Sequence, residues 1–309
     1  MNRTSRFLSG ALFPATVFSF GGSWPALRAA DVPATVITDP ALDPNAPASM
    51  QKAAIPSHGS AINGLWYLAA GRGPHPALLI LNGFPGFEEN LDVAQAARRA
   101  GWNVLALHYR GSWGSPGAFS FLHAMEDGSA AVAYIRDPAT AQRFRVDPRR
   151  IVILGHSMGG AVAAHTAAHD PAILAVALMS AWDIDSSAVL LASPEDRSKA
   201  VRQIQSNLQA LAGCTAEALI EEERAHGREW SLANQAPGLG SRPLLLISAA
   251  DGMAFQTDAL ASAGRRLGNR AITAIHFSTD HSYSDCRMAL SAAVIRWLDQ
   301  LNHRPEASH

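Results

Sequence analysis

A buried strand that runs through a tight turn into a helix of small residues most constrains the fold of this chain. Ile151–Leu154 is an uninterrupted apolar run, and Gly160–His169 is rich in alanine; only Gly155-His156-Ser157-Met158-Gly159 lies between them. A short continuous apolar run is typical of a strand buried on both faces. Because this one passes directly into a helix, it predicts a crossover unit and therefore a parallel sheet.

The same alternation of short apolar runs and longer amphipathic segments extends from about Ser60 towards the C-terminus. It predicts a mainly parallel sheet flanked by helices, an α/β fold. The predicted strands are Ile62–Ala69, Ala77–Leu81, Val104–His108, Ile151–Leu154, Ile173–Met179, Pro243–Ser248 and Ala271–Phe277. The predicted helices are one capped by Asn90 and ended by Gly101, then Glu126–Arg136, Gly160–His169 and Met288–Leu301.

One stretch, residues 184–236, interrupts this alternation. It has no strand pattern and instead carries charged helical sequence, in Glu195–Leu211 and Ala216–Trp230. We therefore expect a helical cap insertion at 184–236 in a core formed by residues 31–183 and 237–309. Within the insertion, Leu219 and Trp230 are expected to pack against the core or to line a pocket.

Residues 1–30 differ in character from the rest of the chain. Arg3 and Arg6 precede an apolar stretch that ends at Phe20, and alanine-rich sequence follows it up to Asp31. This order predicts a signal peptide and export to the periplasm or medium, and the alternative is a cytoplasmic protein. The apolar stretch is short and contains Pro14, so we expect no stable membrane anchor.

Charge and cysteine content exclude several classes of function. The net charge is −1 and the basic residues form no long run, which argues against nucleic acid as a main partner. The two cysteines, Cys214 and Cys286, could form a disulfide or remain free, and the sequence leaves both possibilities open. Neither has a cysteine or histidine partner at ligand spacing, so no metal site is expected.

The turn around Ser157 matches the pattern Gly-x-Ser-x-Gly, which gains its meaning from the strand before it and the helix after it. Such a turn forces the serine into strained backbone angles and raises its Oγ above the sheet edge. Gly155 and Gly159 would supply the clearance, and the Met158 N–H would face an incoming oxyanion. We therefore predict that Ser157 is a nucleophile.

A serine nucleophile needs a histidine base and a carboxylate that orients the base. Of the twelve histidines, His281 lies just past the last predicted strand, where a loop emerges on the same edge as Ser157. Asp251 follows the strand Pro243–Ser248 and completes the order Ser, Asp, His. Asp183, after the preceding strand, is the rival carboxylate.

A second oxyanion donor is expected in the segment Asn82-Gly83-Phe84-Pro85-Gly86, which follows the strand Ala77–Leu81. A glycine-containing loop there can turn its backbone towards the serine. The Phe84 amide is the predicted donor, because Pro85 has no N–H group.

With these residues placed, the chain resembles the α/β-hydrolase superfamily from about Ala77 to Leu301. It is similar to bacterial members near dienelactone hydrolase and to the catalytic domains of prolyl-oligopeptidase-like enzymes. The family's His-Gly-x-Pro-Gly loop is matched by residues 82–86, with Asn82 in place of histidine. The segment Tyr109-Arg110-Gly111 resembles the peptidase-like branch, and Val146-Asp147-Pro148 and Asp280-His281-Ser282 also fit.

The resemblance implies an α/β-hydrolase fold and a carboxylic ester hydrolase that acts through an acyl-enzyme on Ser157. A serine at this position argues against dehalogenases and epoxide hydrolases, which carry aspartate, and against dienelactone hydrolases proper, which carry cysteine. No cofactor is expected, and the expected partner is a small-molecule ester. The alternative is a serine peptidase, aminopeptidase-like or prolyl-oligopeptidase-like, that acts on short peptides. A non-catalytic binding module is the third possibility, but it would be expected to have lost Ser157, Asp251 or His281.

Overall fold

Eight strands form one sheet at the centre of the structure, a computed structural model that describes residues 32–302. Their order is β1-β2-β4-β3-β5-β6-β7-β8, and β3 to β8 run parallel, whereas β2 pairs antiparallel with both of its neighbours, β1 and β4. The strands are β1 (Ser49–Ser57), β2 (Ser60–Leu68), β3 (His75–Leu81), β4 (Asn103–Leu107), β5 (Val146–His156), β6 (Ala175–Met179), β7 (Leu244–Ala249) and β8 (Ile272–Phe277). The mainly parallel sheet predicted from the alternation of apolar runs is confirmed.

Helices connect the parallel strands and cover both faces of the sheet. They are α1 (Ala34–Ile37), α2 (Leu91–Arg99), α3 (Phe121–Arg136), α4 (Pro138–Phe144), α5 (Met158–His169), α6 (Ile184–Leu190), α7 (Pro194–Gln205), α8 (Ala216–His226), α9 (Ala236–Leu239), α10 (Ala254–Arg266) and α11 (Arg287–Asn302). Alternate residues of β3 divide between the faces. Leu79 and Leu81 pack in the cluster that contains α3 and α5, whereas Leu78 and Ile80 pack with α2 and α11.

Four helices, α6, α7, α8 and α9, lie between β6 and β7. No strand of the sheet is formed in this part of the described chain. The helical character predicted for this stretch is therefore observed, whereas the division of the chain into a core and a cap insertion at 184–236 stays a prediction. Leu219 and Trp230 are buried in the same core cluster as α3 and α5, which supports packing of this segment against the core.

Two local predictions need correction. The helix expected from Glu126 begins at Phe121, because the Ser120 hydroxyl accepts a hydrogen bond from the His123 N–H at 3.0 Å and caps it earlier. Asn90 precedes α2 as expected, but its side chain makes no capping hydrogen bond; its Oδ1 instead accepts a hydrogen bond from Arg287. The edge strand β1 was not predicted, since only Ala53 and Ile55 supply an apolar alternation there.

Three further predictions concern the N-terminal segment, the two cysteines and the absence of a membrane anchor. The predicted signal segment, residues 1–30, lies outside the described residues. Cys214 and Cys286 are both free thiols, and they pack on opposite faces of the sheet, which separates them. Within residues 32–302, no helix combines the length and the apolar character that crossing a bilayer requires.

A buried ion pair between Arg110 and Asp127 joins the segment after β4 to α3, and Ser57 at the end of β1 contacts it. Arg110 donates from Nε to Asp127 Oδ1 at 2.7 Å, and its backbone N–H donates to Oδ2 at 2.7 Å. The Ser57 hydroxyl also donates to this carboxylate. Asp127 is fully buried, so the Arg110 guanidinium and these donors replace the water it loses on folding.

We expect Asp127→Ala to lower the free energy of unfolding by about 3–5 kcal/mol, because Arg110 Nε, the Arg110 N–H and the Ser57 hydroxyl all lose their buried acceptor and only the pair of Arg110 with Glu126 remains. Urea denaturation measures this loss. Glu221→Ala is the control: it breaks an exposed pair with Arg224 and should cost about 1 kcal/mol or less. Equal losses in the two variants would contradict the structural role given to Asp127.

Candidate active site

Ser157 occupies a strained turn between β5 and α5, with φ 55° and ψ −121°. A side chain on Gly155 would collide with the Gly159 carbonyl, and one on Gly159 would collide with the Leu81 carbonyl. The Ser157 N–H donates to Met179 O at 3.0 Å, and the Ser157 carbonyl accepts from Trp182 N–H at 2.9 Å. Close backbone packing on both sides therefore holds the turn in its strained form.

The loop after β3 lies directly against this turn. A Cβ built on Gly83 would stand 2.9 Å from Ser157 Cβ and 3.4 Å from Ser157 Oγ, so only glycine allows this approach. The hydroxyl of Tyr109 donates to Asn82 O at 3.1 Å, and Trp113 Nε1 donates to Pro85 O at 2.8 Å. These two bonds hold the loop through its backbone carbonyls. The side-chain Oδ1 of Asn82 is buried and has no hydrogen-bond partner among the described residues.

Met158 is the first residue of α5 and is buried beside the turn. The N–H groups in the first turn of a helix have no acceptor within the helix, and the helix dipole gives this end a partial positive charge. Phe84 lies next to Gly83 in the facing loop, with its ring against Phe119 and Phe121. The two predicted oxyanion donors therefore belong to segments that meet at Ser157.

His281 and Asp251 are in direct contact. His281 Nδ1 lies 2.7 Å from Asp251 Oδ2, and Asp251 Oδ1 accepts from the Met253 N–H at 2.9 Å. Burial raises the pKa of Asp251, but the hydrogen bonds from His281 and Met253 outweigh burial and leave that pKa below its usual value. An ionised Asp251 keeps the proton of His281 on Nδ1, so that Nε2 is free to accept one.

The loop that carries His281 is tied to the Ser157 turn through His156. His156 Nε2 donates to the His281 carbonyl at 2.9 Å, and the two rings lie 4.8 Å apart. The Ala250 N–H donates to Thr279 O at 3.0 Å, which joins the loops after β7 and β8. Among the described hydrogen bonds none links Ser157 Oγ to His281, and such bonds often form only once substrate is bound.

The rival carboxylate Asp183, and Asp280 beside His281 in the sequence, have other local partners. Asp183 caps α6, accepts from the Asp185 N–H at 3.1 Å and lies 3.4 Å from Ser231 Oγ; burial raises its pKa. Asp280 accepts the backbone N–H groups of Ser282 and Ser284. The described hydrogen bonds therefore bring only Asp251 to His281.

Sequence reasoning missed three residues around this site: Trp182, Ser180 and Tyr283. Trp182 is half-buried beside Ser157, its ring packs on Phe121, and its Nε1 donates to Ser187 Oγ at 2.6 Å. Trp182 and Ser180 follow β6, and Tyr283 follows His281 by two positions. Their places beyond strand ends were visible in the sequence, but no motif distinguished them.

The histidine pair on α5, His165 and His169, has a spacing seen in metal sites. Their rings lie 4.3 Å apart, and His169 Nδ1 donates to the His165 carbonyl. Over residues 32–302, no group of three or more histidine, cysteine, aspartate or glutamate side chains is arranged to hold a metal ion.

Comparison with known proteins agrees with this architecture. The family model for the alpha/beta hydrolase fold matches residues 76–221. The chain has the α/β-hydrolase fold. This match supports the resemblance to the superfamily; it includes residues 82–86 and the Ser157 turn, and the segment around His281 lies beyond it.

The similar proteins cover different parts of the chain. Two uncharacterised proteins of Mycobacterium tuberculosis strains are 34% identical over 114 residues, which is 37% of this chain and 39% of their own length. The metagenomic carboxylesterase EstE1 has a TM-score of 0.58 at 21% identity, over 84% of this chain and 90% of its own. Pyrococcus horikoshii acylaminoacyl peptidase has a TM-score of 0.60 at 16% identity, over 85% of this chain and 43% of its own. Structural similarity at this level of identity shows the fold alone.

Acid should destabilise this protein through buried histidines. Burial first, and the neighbouring His281 second, lower the pKa of His156 to about 4; burial and His169 do the same for His165. The unfolded chain takes up these protons near pH 6.5, so the penalty is absent above that pH and complete near pH 4. We expect the free energy of unfolding to fall across this window by up to about 1.4 kcal/mol per pH unit for each histidine.

Chemical denaturation at several pH values measures this slope. His156→Gln, which keeps a donor for the His281 carbonyl, should reduce the slope, and adding His165→Gln should reduce it further. His226→Gln, at a more exposed position on α8, is the control. A slope unchanged by both buried substitutions would contradict this assignment.

Proposed function

We propose that this protein is a serine hydrolase that cleaves a carboxylic ester through an acyl-enzyme on Ser157. The observation that carries the proposal is the convergence at Ser157 of three separate segments. The strained turn presents the serine, the Gly83 loop lies within contact of its Oγ, and the His281–Asp251 pair is tied to the same turn by His156.

The proton path follows from the hydrogen bond between His281 and Asp251. With Nδ1 donating to the carboxylate, His281 Nε2 acts as the base that removes the proton from Ser157 Oγ. Oγ then attacks the ester carbonyl, and His281 returns the proton to the leaving alcohol. A water molecule, deprotonated by His281 in the same way, then attacks the acyl carbon; the bond from that carbon to Ser157 Oγ breaks, His281 returns the proton to Oγ, and the acid is released.

The backbone amides of Met158 and Phe84 are proposed to bind the oxyanion that forms during each attack. The first turn of α5 supplies an N–H group and a partial positive charge that are already oriented before the reaction. Tyr109 and Trp113 hold the facing loop by its carbonyl groups, so its amides do not need to reorganise when charge develops.

An apolar substrate group fits the surroundings of Ser157. The rings of Phe84, Phe119, Phe121 and Trp182 form a continuous aromatic cluster next to the turn, with successive centroids 5.4 to 5.9 Å apart. Phe84 and Trp182 are only half-buried, which leaves part of each ring available for contact. The presence of a carboxylesterase among the similar structures supports an ester as the bond that is cleaved.

A serine peptidase is the second candidate, because an acylaminoacyl peptidase is also among the similar structures. The Tyr109-Arg110-Gly111 segment that suggested this branch has structural roles here. Arg110 is paired with buried Asp127, and a side chain on Gly111 would collide with the backbone at Phe119. The segment therefore does not by itself favour peptides over esters.

Substitution of Ser157 and Asp251 tests the mechanism. We expect Ser157→Ala to abolish hydrolysis and labelling by a fluorophosphonate, since no nucleophile remains. Asp251→Asn should lower kcat by about 10⁴-fold, because the base then adopts the wrong tautomer. The matched control is Asp183→Asn, which alters a helix cap and should retain activity close to that of the wild type. Hydrolysis that is unaffected by Ser157→Ala would contradict the enzyme proposal, and the reverse ranking of the aspartates would reassign the acid.

The bond that is cleaved is tested with two substrate panels. We expect p-nitrophenyl esters of graded acyl length to be hydrolysed with a kcat/KM far above that for amino-acid p-nitroanilides. The reason is that p-nitrophenol is a better leaving group than p-nitroaniline. Stopped assays at equal substrate concentration, with Ser157→Ala as the background, give the ratio. Faster cleavage of the anilides would favour the peptidase candidate.

A further inference from the structure

Behind the proposed acid–base pair lies a buried pair of hydroxyl groups. Ser180 Oγ and Tyr283 Oη are 2.9 Å apart, and Tyr283 Oη also donates to the Ile247 carbonyl at 3.2 Å. Both residues are almost completely buried. Neither takes part in the chemistry described above, so the contacts between them need another explanation.

Both residues have a backbone conformation that side chains other than glycine rarely adopt. Ser180 has φ 40° and Tyr283 has φ 57°. Together with Ser157, they place three strained residues within this one region of the fold. Strain of this kind persists only where surrounding contacts over-determine the backbone, and it is concentrated at functional sites.

The two hydroxyls connect the strands that carry the site. Ser180 directly follows β6, and its N–H donates to the Ile247 carbonyl at 2.8 Å. Ile247 lies in β7, four positions before Asp251, and Tyr283 lies two positions after His281. The Ile247 carbonyl, on the strand that leads to Asp251, is therefore a common anchor for Ser180 and for the loop that carries His281.

Ser180 also acts on Asp251 directly. Its side chain is among the groups that lower the pKa of that carboxyl, against the opposing effect of burial. Because the single Tyr283 proton goes to the Ile247 carbonyl, the Ser180 hydroxyl proton is shared between Tyr283 Oη and the Asp251 carboxylate. The Tyr283 ring also packs edge-on against the ring of His156, which holds the His281 carbonyl.

We propose that Ser180 and Tyr283 are positioning residues that hold the Asp251 carboxylate and the His281 imidazole in register, a role that rests on the proposed function of this site. Tyr283 fastens the His281 loop to the end of β7, and Ser180 orients the carboxylate from the end of β6. Neither residue touches substrate. Their effect is on the rate of proton transfer rather than on binding.

Three variants test the proposal: Tyr283→Phe, Ser180→Ala and Ser180→Gly. We expect each to lower kcat on the best ester by about tenfold or more, with KM within about twofold of the wild-type value, because a hydrogen bond to a charged group is lost or misdirected. In the Ser180 variants the acid limb of the kcat/KM profile should move to higher pH. Asp251 loses a donor there and stabilises the protonated base more strongly.

Ser180→Gly separates positioning from stability. Glycine adopts a positive φ without strain, so this variant should unfold at a temperature close to that of the wild type and yet lose rate. Ser248→Ala is the matched control. Ser248 follows Ile247 in β7, and its Oγ bonds His276 Nδ1 at 2.9 Å rather than a residue of the proposed site. Wild-type kcat in Ser180→Gly, or an equal rate loss in Ser248→Ala, would overturn the proposal.

A readout without catalysis keeps this test distinct from that of the proposed function. In a Ser157→Ala background, the low-field NMR resonance of the His281 Nδ1–H should shift in Ser180→Ala and Tyr283→Phe but not in Ser248→Ala. An unchanged resonance in both variants would overturn the positioning role even if the enzyme is an esterase. A shifted resonance, together with a protein that hydrolyses nothing even when Ser157 is intact, would contradict the proposed function while supporting the hydrogen-bond network.

Discussion

The rest of the site depends on the close packing of backbone around the Ser157 turn. Gly155 and Gly159 let strand β5, helix α5 and the end of β3 approach to distances that no Cβ would allow. That packing holds Ser157 at a positive φ and brings its Oγ against Gly83. A turn that is fixed on both sides by backbone cannot relax by moving a side chain, so the position of the hydroxyl is set before any substrate arrives.

The other residues of the candidate site lie on loops at the same edge of the sheet. Parallel strands place their carboxyl ends together, and the loops after β3, β6, β7 and β8 supply Gly83, Ser180, Asp251 and His281. Loops alone would be loosely held. Here backbone anchors, such as the Ile247 carbonyl and the Ala250–Thr279 bond, tie them to strands and to each other.

The sequence predicted most of the fold because buried strands and amphipathic helices leave distinct patterns. Its errors lie where a pattern is short or where a local contact decides. Strand β1 is an edge strand with one buried face, so it shows little apolar periodicity. The early start of α3 depends on Ser120, and Asn90 bonds Arg287, nearly two hundred positions away in the sequence, rather than its own helix.

The sequence by itself determined that Ser157 lies between a buried strand and a helix, and that acidic and imidazole groups follow later strands in the order of this fold. It favoured Asp251 through that order but left Asp183 open as a rival, because each follows the end of a buried strand. Tertiary structure decided which carboxylate contacts His281: Asp183 caps α6 and lies beside Ser231, whereas Asp251 is free to accept from His281. Tertiary structure also revealed the pairing of Ser180 with Tyr283. The physical reason is the same in both cases. Order along the chain places a residue at a sheet edge, but only packing determines which hydrogen-bonding groups remain available there.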